Sequence, residues 1–165
     1  MNTADIYKAC KSNKVFGGVY AKDTYRQVPK QAKLCVVNTD PLWSPGEHWF
    51  VVDHTQEPCV VCDSYGAKSP TSSSKFWQGT LGTAYYFNDT LQGATTNVCG
   101  DYCVFYVFLR ASGAPPQRCF ALLRGLGRST HVRDHCVREM TVSLFGTFYS
   151  DGVHVSPLLN QICKA

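Results

Sequence analysis

The 165 residues carry nine cysteines and a net charge of +4, with 44% hydrophobic residues. That is one domain's length, enough to bury about two thirds of the unfolded surface without disulfides or metal, and the cysteine share falls below the ~8–10% of a disulfide scaffold. No run approaches the ~20 apolar residues of a membrane span, and residues 1–11 lack a signal peptide's apolar core. The expectation is a soluble intracellular monomer with free thiols and no membrane partner.

In chain order, residues 4–14 read as a short polar helix ended by Gly17-Gly18. Val19-Tyr20 opens an edge strand, and residues 22–33 are a polar loop. Residues 34–38 form a short buried strand, followed by turn-rich residues 39–46. The β-branched and aromatic stretches 47–53 and 59–63 then read as a hairpin across residues 54–58. Residues 68–80 are a Ser/Thr/Gly-rich loop anchored by Phe76-Trp77; residues 81–87 form a further strand, and 88–96 another loop.

The most apolar run, residues 104–109, is hydrophobic on all sides, so periodicity alone does not choose helix or strand. Its ends choose helix: Thr95, Thr96 and Asn97 are capping residues, while Arg110, Gly113, Pro115 and Pro116 stop it. This predicts a central buried helix from Cys99 to Ala111, followed by helical pieces over residues 120–127 and 131–145. The fold class expected is α+β, a small central mixed or antiparallel sheet packed with helices in one domain, residues 1–165.

A cysteine in the first turn of a helix faces unpaired N–H groups and the positive dipole end, which favour thiolate over thiol. Cys99 is therefore the candidate nucleophile. Gly100 leaves the backbone beside the sulfur open, and Cys103, one turn deeper, is core. In the hairpin, a four-residue loop pairs Asp53 with Pro58 and puts His48 opposite Asp63, where side chains share a face with Cβ atoms ~4.5–5.5 Å apart. Slipping one strand by a single residue would separate them. Asp53 points away from His48.

Cysteine protease chemistry needs a thiolate, an imidazole, a group that orients the imidazole, and donors for the oxyanion. Cys99, His48 and Asp63 fill the first three roles; Gln92 and the Cys99 N–H fit the fourth. Gly46, Glu47, Trp49 and Gly100 flank them as candidate substrate contacts, although Trp49 suits packing beneath the hairpin better than touching substrate. His54 and His154 read as surface residues.

Charge is unevenly laid out. Residues 1–33 carry +5, residues 34–109 carry −5 and residues 110–165 carry +4. The arginines of the last segment suit ordinary solvated surface or a polyanion track, with Arg124, Arg128, Arg133 and Arg138 as candidate nucleic-acid contacts.

Gly46-Glu47-His48-Trp49, Asp63-Ser64-Tyr65-Gly66, Gln92 and Cys99-Gly100 resemble the ordered motifs of the adenovirus endopeptidase (adenain) family, related to the ubiquitin-like-protein proteases. The likeness also takes in residues 16–20 and 34–39, and spans roughly residues 15–112. It implies an α+β viral cysteine endopeptidase that cuts precursor proteins during virion maturation, in the host nucleus and the virion. His48 would be its base, Asp63 its orienting acid, Cys99 its nucleophile and Gln92 its oxyanion donor. The chemistry would need no cofactor, with DNA and a short viral peptide as activators. Two departures are a shorter C-terminal third and no cysteine in residues 79–92, where the family tethers its activating peptide. Leu123-Arg124-Gly125-Leu126-Gly127 fits the Leu/Ile/Met-x-Gly-x-Gly cleavage pattern the resemblance implies, with the cut between Leu126 and Gly127.

Two other readings stand. A ubiquitin-like-protein protease would use the same site on a Gly-Gly tail. A zinc- or nucleic-acid-binding structural module would use Cys59, Cys62, His131, His135 and Cys136, against which two valines in a strand put Cys59 and Cys62 on opposite faces.

Overall fold

A computed structural model describes residues 1–29 and 31–146, with Pro70 described in its backbone only. The cleavage-pattern segment lies within it, whereas His154 lies outside the described residues. Among these residues the fold is α+β, with a five-stranded mixed sheet and six α-helices.

Helix α1 (Thr3–Cys10) starts on a reciprocal capping box between Asn2 and Asp5. The strands are β1 (Phe16–Tyr20), β2 (Leu34–Asn38), β3 (Trp49–Asp53), β4 (Cys59–Cys62) and β5 (Ala84–Tyr86), in spatial order β1-β2-β3-β4-β5. The outer pairs β1–β2 and β4–β5 are parallel; β2–β3 and β3–β4 are antiparallel. Gly17 and Gly18, expected to end a helix, lie inside β1, because β2 offers a pairing edge that tolerates an irregularity between Phe16 and Gly18.

Helices α2 (Pro70–Ser73) and α3 (Lys75–Leu81) replace the loop expected over residues 68–80. Ser69 caps the Thr71 N–H, Pro70 occupies the first turn, and Trp77 is buried edge-on against Tyr25 and Phe50. One buried indole decides a segment whose composition reads as loop.

Helix α4 (Cys99–Ala111) has the bounds read from the sequence, but Val98 occupies its cap position with no side-chain bond. The two prolines expected only to stop α4 begin α5 (Pro116–Gly125), as proline at a first turn does. Helix α6 (Thr130–Phe145) is capped by the Ser129 hydroxyl on the Val132 N–H.

Alternation along the strands sorts the core into two layers. Leu34, Val36, Trp49, Val51 and Cys62 face α1, α4, α5 and α6. Cys35, Val37, Phe50, Val52, Cys59 and Val61 face Tyr25 and Trp77. Cys59 and Cys62 thus lie on opposite sides of the sheet, which separates the paired thiols the zinc reading needs.

His54, expected at the surface, is half-buried with Nε2 2.7 Å from the Tyr25 hydroxyl. Leu123 is buried in α5 and the Gly127 carbonyl accepts from Arg133. An extended conformation over residues 123–127 would require the last turn of α5 to unwind.

Asp53 is fully buried and accepts from Arg110 Nε at 2.6 Å and from the Tyr106 hydroxyl at 3.0 Å. Removing one partner of a buried pair strands the other charge. Asp53→Ala should lower unfolding stability by about 3 kcal/mol in chemical denaturation; an unchanged midpoint would show that the pair is dispensable.

Candidate active site

His48 precedes β3 by one residue and Asp63 follows β4 by one, so an antiparallel pair brings both to the same end of the sheet. The register is Val51↔Cys62, Val52↔Val61 and Asp53↔Val60, two residues away from the direct His48–Asp63 opposition expected. The cause is a longer connection, residues 54–59. Because the slip is even, both residues keep the same face and meet diagonally.

The His48 Nε2 and Asp63 Oδ1 are 2.8 Å apart. Asp63 is saturated otherwise: the Tyr65 N–H donates to Oδ1 at 3.0 Å, while the hydroxyls of Ser69 and Thr71 donate to Oδ2. Burial raises the carboxyl's pKa, but the hydrogen bond and charge of His48 and these hydroxyls hold it below its ordinary value.

The other imidazole nitrogen, Nδ1, is buried with no hydrogen-bond partner among the described residues. Cys99 acts on the same ring, raising the imidazole's pKa beside Asp63. Burial alone lowers the imidazole's pKa; the Asp63 hydrogen bond and the charges of Asp63 and Cys99 lift it to about 9. Tyr65 stacks on the imidazole at 4.6 Å between ring centroids.

Cys99 is the first residue of α4 and opens on a cleft of about 360 Å³, together with Gly46, Glu47, Trp49, Tyr65 and Gly100. All four candidate substrate contacts therefore border one cavity. Trp49 also packs in the core beneath the hairpin. At Gly46 φ is +82°, and a Cβ would sit 2.5 Å from Asn38 Nδ2, so only glycine fits. Met1 lies over Gly100 at the cleft rim, a contact between distant segments that nothing in the sequence signals.

Burial pushes the thiols of Cys10, Cys35 and Cys119 up to about 12 and raises those of Cys59, Cys62 and Cys103 as well.

Gln92 is not on this cleft. Its Oε1 accepts from the Ser64 hydroxyl at 2.7 Å, and its Nε2 donates to the Thr96 carbonyl at 2.6 Å and to the Tyr65 hydroxyl at 3.4 Å. It borders an adjacent cavity with Gly93, Thr90 and Lys68, and Tyr65 lines both.

The loop carrying Gln92 is held by α6. Asp134 accepts from the Gly93 N–H, the Thr96 hydroxyl and the Tyr102 hydroxyl. Arg133 donates to the carbonyls of Thr90, Leu91 and Gly127; Arg138 donates to the Asn97 carbonyl and to Asp101. Nothing local marks Asp134 as buried, since α6 sets it and Glu139 among Arg133 and Arg138 with no charge pattern that separates the two acids. Of the candidate nucleic-acid contacts, Arg133 and Arg138 are committed to this loop, Arg124 pairs with Asp89 at 3.0 Å, and Arg128 is exposed. No continuous row of free guanidinium groups follows from these four.

Among the described residues no cluster of three or more His, Cys, Asp or Glu side chains is placed to hold a metal, and no helix is long and apolar enough to cross a membrane. No protein-family model matches the chain, and no curated protein does either.

A raised His48 pKa adds stability that is complete below the unfolded value of about 6.5 and is lost as pH rises through about 9. A lowered Asp63 adds stability present above about 3.9 and lost as pH falls through its folded value. In an NMR titration His48 should titrate near 9 and move downward in Asp63→Asn; a parent His48 titrating at its ordinary value or below would remove the buried pair. Asp134→Ala should cost about 3 kcal/mol and speed amide exchange across residues 93–96; unchanged exchange there would show that the loop holds without α6.

Proposed function

We propose that this chain is a cysteine endopeptidase of the adenovirus endopeptidase type, with Cys99 as nucleophile, His48 as acid and base, and Asp63 as the acid that orients it. The carrying observation is a buried imidazole bonded to the Asp63 carboxylate at 2.8 Å and influenced by Cys99, which lines an open cleft at the start of α4. In the reaction the Cys99 thiolate bonds to the scissile carbonyl carbon and the carbonyl π pair moves to oxygen. Collapse then breaks the C–N bond, and the imidazolium Nδ1–H protonates the leaving amine. Water, deprotonated by the same nitrogen, hydrolyses the thioester.

The small residues Gly46 and Gly100 at the cleft suit a narrow, glycine-containing substrate strand, in keeping with the Leu/Ile/Met-x-Gly-x-Gly pattern. The same feature suits a Gly-Gly tail, which keeps the ubiquitin-like-protein protease as the second reading. Precursor proteins of a virion as substrates, DNA or a viral peptide as activator, and action in the host nucleus follow from the family resemblance. The nucleophile's place at the start of α4 and the covered sheet fit that resemblance.

At neutral pH iodoacetamide should alkylate Cys99 ahead of the six desolvated cysteines, by peptide mapping, and His48→Ala should abolish that preference. A Leu-x-Gly-x-Gly peptide should be cleaved, with and without DNA compared, while an intact ubiquitin-like conjugate should not. Cleavage of the conjugate alone would transfer the assignment to the second reading. Equal reactivity of Cys99 and the other thiols, with DNA present or absent, would refute both.

A further inference from the structure

Resting on the protease reading, we infer that the cavity behind Gly46 seats an aliphatic side chain of the substrate, and that the Asn38 side-chain amide donates to the substrate's backbone carbonyl beside it. Asn38 ends β2 opposite Trp49, and the next residue, Thr39, donates its N–H to the His48 carbonyl at 2.9 Å. The cavity therefore stands at the catalytic end of the sheet. It shares Gly46 and Trp49 with the Cys99 cleft, so a strand bound at the sulfur and laid across Gly46 meets it next.

Asn38 is only 4% exposed. Its Oδ1 accepts from the Asp40 N–H at 2.8 Å, while Nδ2 is buried with no hydrogen-bond partner among the described residues. A buried donor left unmade is costly and calls for an acceptor. That donor stands against Gly46, where a Cβ would come within 2.5 Å of it. Glycine at 46 keeps this side of the amide clear of any side chain. Val19, Ala21, Pro41, Leu42 and Pro45 supply apolar wall around a volume of about 80 Å³. A benzene ring occupies a cavity of roughly 150 Å³, so the space suits a branched aliphatic group and refuses an aromatic one. The wall is built before any substrate arrives: Asp23 accepts from the Leu42 N–H at 3.0 Å, and Asp40 from the Glu47 N–H at 2.7 Å. Little ordering then remains to be done on binding.

The Leu-x-Gly-x-Gly peptide should be cleaved with a kcat/KM about tenfold above that of peptides with Phe or Ala in place of its Leu. Leu42→Ala, at a position 70% exposed, should raise KM for the Leu peptide about threefold and narrow its lead over the Ala peptide. Asn38→Asp keeps the acceptor for the Asp40 N–H and removes the donor. It should raise KM about fivefold for every peptide, with kcat and the pH profile of Cys99 alkylation unchanged. If a thermal melt shows Asn38→Asp unfolded, Leu42→Ala and the peptide series decide alone. Equal cleavage of the Leu and Phe peptides, or an unmoved KM in either folded variant, overturns the inference and makes the cavity a water site; selective Cys99 alkylation would still uphold the protease reading. A loss of kcat or of Cys99 alkylation in Asn38→Asp also overturns it, since the amide would then act through His48. A parent that cleaves nothing and shows no selective Cys99 reaction removes both.

Discussion

The helix of residues 99–111 is apolar on every side, and ten of its thirteen residues are buried, so it has no stable place outside the protein. It packs against β3, with Arg110 and Tyr106 of the helix bonded to Asp53 at the strand's end. From His48 to Asp53 a strand covers about 17 Å; from Cys99 to Arg110 a helix covers about the same. One element pair is therefore clamped at both ends, by Asp53 on Arg110 and Tyr106 at one and by His48 beside Cys99 at the other. Burial of α4 fixes the depth of the sulfur, and the buried carboxylate pair fixes how far along the sheet it stands.

Around that clamp the polar groups are few and mutually committed. Asp63 spends its lone pairs on His48, Ser69, Thr71 and the Tyr65 N–H, which leaves the imidazole one orientation. Asp134 does the same for the loop above, drawing together Gly93, Thr96 and Tyr102. Both carboxylates lie in places where an unpaired charge would be costly, so each geometry is held by the penalty for leaving it. The proposed chemistry needs this, since a nucleophile, an acid and an oxyanion donor must stay aligned through two tetrahedral intermediates.

Much of the candidate site was legible because it depends on local rules. Cys99 at a helix start, the buried helix behind it, and a His-Asp pair on one hairpin face follow from the stop signals after residue 109, hydrophobic content and parity. Parity explains why the pair persists although the register is two residues from the one expected. The two-residue difference itself was not legible, because loop length depends on which residues of 54–59 find partners in the neighbouring strands.

What the sequence by itself determined is the α+β class, the strands β2 to β4, the helix α4 and the face on which His48 and Asp63 stand. These are set by residues close in the chain, through the two-residue alternation of strands and the stop signals that end α4. Only the tertiary structure decided that Gly17-Gly18 would pair in a sheet, that Trp77 would draw residues 75–81 into a helix, and that Arg133 and Arg138 would hold a loop rather than face solvent. It also decided that Tyr65, not Gln92, would border the cleft beside Cys99. Each of these depends on a partner tens of residues away, and a residue's own type does not say which buried neighbour will satisfy it.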